Sequence, residues 1–214
     1  MLVRIVISAN TDWLLKSLSG KNMNIQIATS GDITDFEGDV IIVPCDCELS
    51  YTKSFSPNAN YPLFKHDSKK SLIKNVFEKA GKDLVKEVTT IGYCEIGYAV
   101  TIKGYELKAK NVIFMPIADH NNEESRINYV GLHQSLRAAF TLADLYKAKS
   151  VAIAGIRIPS KRKDFFKSLW DKFLGDGGEM KSLSGDEIED IIITTSKNLE
   201  KNTIKDLFIY KYSN

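Results

Sequence analysis

The segment Asp39 to Val43 reads DVIIV, apolar without a break after its first residue. A run this short and this apolar fits a central strand covered on both faces, which requires a layer of structure on each side of a sheet. Upstream, Asn24 to Ala28 alternates polar and apolar residues, the period of a second strand. The two are joined through a tight, acidic turn, Gly31-Asp32-Ile33-Thr34, which puts a carboxylate where a strand ends. After the second strand, Pro44-Cys45-Asp46-Cys47 is expected to stop it and turn the chain outward. In an open α/β sheet the loops at the carboxyl ends of strands form the ligand crevice, so both short loops are candidate site segments.

The rest of the chain keeps the alternation going. Leu2 to Ser8 reads as a strand, followed by a short helix capped by Asn10 or Thr11 and ended by Gly20. Residues 47–66 read as a long irregular loop, broken by Pro57 and Pro62. Asp67 or Ser68 opens a helix to about 87, with Leu72, Ile73, Val76, Phe77, Ala80, Leu84 and Val85 on one face and Gly81 as a kink or break. Strands are expected at 94–102 and 111–116. A helix starts at Ser125 and carries Tyr129, Leu132, Leu136, Ala139, Phe140 and Ala143, and a small-residue strand follows from Ser150 to Ile156. Lys163 to Leu174 reads as an aromatic helix, Asp190 to Thr195 as the last buried strand, and 198–208 as a closing helix. Strands alternating with helices imply an α/β three-layer domain, and 214 residues are most simply one domain, 1–214, with the strand and helix of 1–20 as an addition.

Composition narrows the function. A net charge of +2 points to neither nucleic acid nor membrane, and no run approaches the ~18 apolar residues of a membrane helix. The apolar N-terminus is too short for a signal peptide, and three cysteines make no disulfide framework, so a cytoplasmic setting is expected. Cys45, Cys47 and Cys94 with His66, His120 or His133 have the wrong spacing for common zinc sites. Neither a metal nor a cofactor is expected. Asp119-His120 follows a strand end and reads equally as a loop or as a cleft segment. There is no P-loop, HExxH or G-x-S-x-G motif.

Taken in order, GDIT at 31–34 with DVIIVPCD at 39–46, IGYAVTIKGYELKAKNVIFMP at 96–116, SLRAAFTLADLYKAKSVAIAGI at 135–156 and EDIIITTS at 189–196 resemble the macrodomain, an ADP-ribose-binding module. The resemblance implies an α/β/α fold with a mixed central sheet. Pro44 and Arg137-Ala138-Ala139, with the extra 1–20 segment, are similar to a bacterial and phage-associated branch. Asp32 matches the acid that accepts a hydrogen bond from the adenine amino group, and Ile33 the residue whose backbone lies beside it. The same aspartate is also what a turn needs to bond its own backbone. Asp46, after Pro44 and Cys45, stands where the family has an asparagine at the distal ribose. Aspartate accepts but cannot donate there, and its charge opposes a diphosphate.

The first phosphate loop of the family is glycine-rich. Here it aligns with Ser68 to Ile73, including Ser71 and Leu72, and has no glycine, leaving a helix N-terminus with Lys69 and Lys70 beside it. The second loop aligns with Gly155-Ile156-Arg157-Ile158-Pro159, where one glycine remains. Arg157 either grips a diphosphate or fills the cleft and pairs with Asp46. Phe165 or Phe166 falls near the family's distal-ribose aromatic, though at helical spacing such residues are more often core.

The implied ligand is ADP-ribose or a related adenine nucleotide. Two other readings stand beside it. One is a hydrolase removing ADP-ribose, with Asp46 as the catalytic candidate, disfavoured by both altered loops. The other is a degenerate member with an interaction or structural role.

Overall fold

A computed structural model of the chain describes residues 23–28, 31–49, 72–118, 129–156, 185–199 and 203–210. The chain forms strand β1 (Asn24–Ala28), a 3-10 turn (Ile33–Asp35), β2 (Val40–Asp46), helices α1 (Leu72–Ala80) and α2 (Lys82–Ile91), β3 (Val100–Lys103) and β4 (Asn111–Ala118). It continues with α3 (Tyr129–Leu145), β5 (Ser150–Ala154), α4 (Gly185–Lys197) and β6 (Asp206–Tyr210). Six strands form one sheet in the order β1-β6-β5-β2-β4-β3. All neighbours pair in parallel except β3, which runs antiparallel to β4, so the sheet is mixed.

The apolar run of β2 does what its composition demands. Val40 and Ile42 point into one core with Leu132, Leu136, Phe140, Ile188 and Ile192 from α3 and α4. Ile41, Val43 and Cys45 point into the other, with Ile73, Val76, Phe77 and Leu84 from α1 and α2. Side chains alternate across a strand, so four consecutive apolar residues can be buried only if both faces are covered. The result is an α/β/α sandwich, as expected. The break at Gly81 is also as expected: its φ of +83° ends α1 and starts α2 as separate helices, a backbone conformation glycine tolerates best.

Four expectations are corrected. First, Pro44 does not stop β2; the strand runs on through Cys45 to Asp46, with Pro44 in register with Met115. Pairing with β5 ends at Ile42, so beyond it β2 has a neighbour on one side only, a setting in which a sheet accepts a proline. Second, Asp190 to Thr195 is not a strand but the middle of α4. Its β-branched run reads as strand by propensity, yet Ile188, Ile191, Ile192, Thr195 and Ser196 are the buried positions, the 3.6-residue stripe of a helix. Asp186 and Glu187 in the first turn and Lys197 in the last complement the helix dipole. Third, the closing element is not a helix over 198–208 but β6, whose Leu207 and Ile209 enter one core while Phe208 and Tyr210 pack at the other. The segment 189–196 therefore does not supply the last strand. Fourth, 94–99 is a loop, not strand: β3 starts at Val100, the Cys94 N–H bonds Cys47 O at 2.7 Å, and Gly97 has φ +95°.

Smaller shifts concern ends. The small-residue strand stops at Ala154, leaving Gly155 and Ile156 beyond it. The first two strands are not neighbours, since β6 and β5 lie between them. The features expected at 2–20, 50–66 and 163–174, and residues Ser71, Asp119, His120, Arg157 and Phe165, lie outside the described residues.

Candidate functional site

Because β1, β6, β5, β2 and β4 are all parallel, their carboxyl ends share one edge of the sheet. Register fixes what meets there. Tyr210 is the partner of Ala28 on one side and of Ala154 on the other. The Gly155 N–H then bonds the Tyr210 carbonyl at 2.6 Å. Gly31 follows β1 with φ +113°, a value that glycine accepts and side-chain-bearing residues rarely adopt. A Cβ there would lie 3.7 Å from Cε1 of Tyr210. The turn after β1, the end of β6 and the loop after β5 thus form one continuous stretch of the edge.

Asp32 sits at the head of the 3-10 turn and caps it. Its Oδ1 accepts from the Thr34 backbone N–H at 2.9 Å and from the Thr34 hydroxyl at 2.7 Å. Its Oδ2 accepts from Asn75 Nδ2 and, at 3.3 Å, from Lys79 Nζ. The same ammonium reaches Asp35 at 3.0 Å. Burial opposes the Asp32 charge, but the bonds from Thr34, Asn75 and Lys79 outweigh it and hold the carboxyl below its usual range. The Tyr210 phenol is pushed the other way, by burial first and then by the carboxylates of Asp35 and Asp32. The turn reading of Asp32 is thus observed: it bonds its own backbone, and its second oxygen stands as a carboxylate oxygen beside α1 at the carboxyl edge of the sheet. Ile33 beside it has its side chain buried in the core with Phe36, whose ring is 5.2 Å from that of Phe208.

The β2 end differs. Asp46 is completely buried, not a solvated turn residue. The register between β2 and β4 slips between Cys45 and Asp46, so that Cys45 faces Pro116 and Asp46 faces Ala118. Such bulges re-aim the chain where strands leave a sheet. Cys45, Cys47 and Cys94 are all buried. Burial above all, and then the neighbouring Asp46, push the Cys45 thiol well up, away from the thiolate form that a nucleophile needs. Among the described residues no group of three or more His, Cys, Asp or Glu side chains is placed to hold a metal.

The structure thus gathers Asp32, Ile33, Pro44, Cys45, Asp46, Gly155 and Ile156 along one edge of the sheet. Leu72 starts α1, the helix that also carries Asn75 and Lys79. Sequence reasoning missed Asn75, Lys79 and Tyr210. Asn75 and Lys79 are four apart and so share a helix face, and DLFIY is rich in the aromatic and β-branched residues that strands favour; both signals were present in the residues.

The family model for the macro domain matches residues 64–158. No protein of curated function matches the chain by sequence. Among solved structures the chain is similar to the Trypanosoma brucei macrodomain in complex with ADP-ribose, at 15% identity and TM-score 0.58, over 89% of this chain and 64% of that one. It is similar to the Oceanobacillus iheyensis macrodomain with ADP, at 16% identity and TM-score 0.56, over 90% and 85%. It is also similar to the macro domain of ganglioside induced differentiation associated protein 2, at 16% identity and TM-score 0.55, over 90% and 78%. The fold is the macrodomain fold. No described helix is long and apolar enough to cross a membrane.

Proposed function

We propose that this chain binds ADP-ribose or a related adenine nucleotide at the carboxyl edge of its sheet. The observation that carries the reading is the charged Asp32, held at the crevice edge beside Tyr210 on a fold shared with structures solved with ADP-ribose and ADP. An acceptor-only carboxylate suits an exocyclic amine, and a half-buried phenol gives a flat surface for a base. Ile33 would contribute backbone. Gly155 and Ile156 would carry the ligand on toward Pro44, Cys45 and Asp46, with Ser71, Leu72, Arg157 and Phe165 as the remaining proposed contacts. Cys45 and Asp46 are fully buried, so contact there would come through the backbone or after a local opening. The proposal stops at binding; hydrolysis is not part of it. A place in the bacterial and phage-associated branch and a cytoplasmic setting belong to the same proposal, the branch resting on Pro44 and Arg137-Ala138-Ala139.

A crystal structure with ADP-ribose tests the reading. The expected result places the adenine amino group within hydrogen-bond distance of Asp32 and the ring against Tyr210. A ligand bound elsewhere, with Asp32 untouched, would overturn it.

A further inference from the structure

A carboxylate offers about four lone-pair positions, and at Asp32 four donors already occupy them. Thr34 fills Oδ1 twice, and Asn75 and Lys79 share Oδ2. An exocyclic amine approaching Oδ2 must displace one donor. Three are held firmly. Thr34 is 3% exposed and part of the 3-10 turn, and Asn75 is partly buried where Lys79 is exposed. Lys79 is the exception: its side chain is 40% exposed, and its 3.3 Å bond to Asp32 is the longest of the four. It also has a second carboxylate, Asp35, closer at 3.0 Å. The ammonium can leave Asp32 without going to bulk water. Exposed ion pairs are weak, so the exchange costs little.

We propose that Lys79 is the specificity-determining residue at the base end of the site. Drawn onto Asp35, it frees Asp32 Oδ2 for the amino group of adenine. Left on Asp32, it turns a remaining ammonium N–H toward the base and receives the carbonyl of a 6-oxo purine instead. The wild-type site therefore accepts both amino and 6-oxo purine nucleotides. This inference rests on the adenine-nucleotide reading of the same crevice.

The test is calorimetric titration of the wild type, Lys79→Met and Lys79→Arg with two ligands: ADP-ribose and its analogue with hypoxanthine in place of adenine. The ligands carry the same charge, so the ratio of their dissociation constants isolates the base. The wild type is expected to bind both. Lys79→Met should shift the ratio roughly fivefold toward adenine, while Lys79→Arg stays near the wild type. If Lys79→Met binds ADP-ribose with the wild-type ratio, the role of Lys79 falls and the nucleotide reading stands. If none of the proteins binds either ligand, both fall. Thermal melts of the variants, expected within a few degrees of the wild type, confirm that the helix is intact.

Discussion

Thr34 donates both its backbone N–H and its hydroxyl to the same oxygen of Asp32, at 2.9 and 2.7 Å. The pair divides the labour of one carboxylate: Oδ1 builds the turn, and Oδ2 faces Asn75 and Lys79 on α1. The site is thus rigid on the side that makes it and exchangeable on the side that would meet a ligand.

Thr34→Val removes only the hydroxyl bond and preserves shape at a buried position. It is expected to cost about 1 kcal/mol, read as a fall of roughly 2–4 °C in Tm, and to leave nucleotide affinity nearly unchanged because Oδ2 is untouched. Differential scanning calorimetry with a parallel titration measures both. A large loss of affinity with unchanged Tm would contradict the division.

Asp39, at the opposite edge of the sheet, makes a pH-dependent contribution to stability. It accepts from the backbone N–H groups of Lys149 and Ser150 at 2.8 and 3.1 Å, and from Lys110 Nζ at 2.6 Å. Burial opposes the charge, but these bonds and the Lys110 ammonium lower the carboxyl to about 2. A folded pKa below the unfolded one stabilises the protein above about pH 4 and loses that contribution as pH falls toward 2. The shift corresponds to roughly 2 kcal/mol at neutral pH. Urea unfolding of the wild type and Asp39→Asn should show a gap of that order at pH 7, closing by about pH 2. A gap independent of pH would mean that the charge is not what matters.

The three cysteines are expected to be silent in the native state. Cys45, Cys47 and Cys94 are buried, and burial raises the thiols of Cys45 and Cys94. Reaction with a thiol-specific disulfide reagent at pH 8 should be slow until denaturant unfolds the chain. Rapid native labelling of Cys45 would reopen it as a nucleophile.

Much of this architecture is legible in the residues. The unbroken apolar run of β2 demands a two-sided sheet, and Gly81 marks the break between α1 and α2. The misreadings share a cause. In α4 the β-branched run Ile191 to Thr195 favours a strand by propensity against the helical spacing from Ile188 to Ser196, and reading that segment as the last strand leaves DLFIY at 206–210 only a helix to form. Propensity is a weak guide where burial decides. Pro44 is a similar case: a proline breaks a ladder only where its missing N–H would face a paired strand, and β5 pairs with β2 only as far as Ile42. At the site, Asp32 was visible from its turn. Its partners Asn75 and Lys79 come from a helix some forty residues away, and only the packing of α1 against the 3-10 turn brings them together.

The central claim is that Asp32 reads an adenine amino group at the carboxyl edge of the sheet. Calorimetric titration of ADP-ribose into the wild type and Asp32→Asn tests it most directly, since asparagine can keep the cap to Thr34 while losing the charge. Saturable binding by the wild type, weakened about tenfold or more in Asp32→Asn at similar Tm, is the predicted result. Equal affinity in the two proteins, or no heat from the wild type at millimolar ligand, would contradict it.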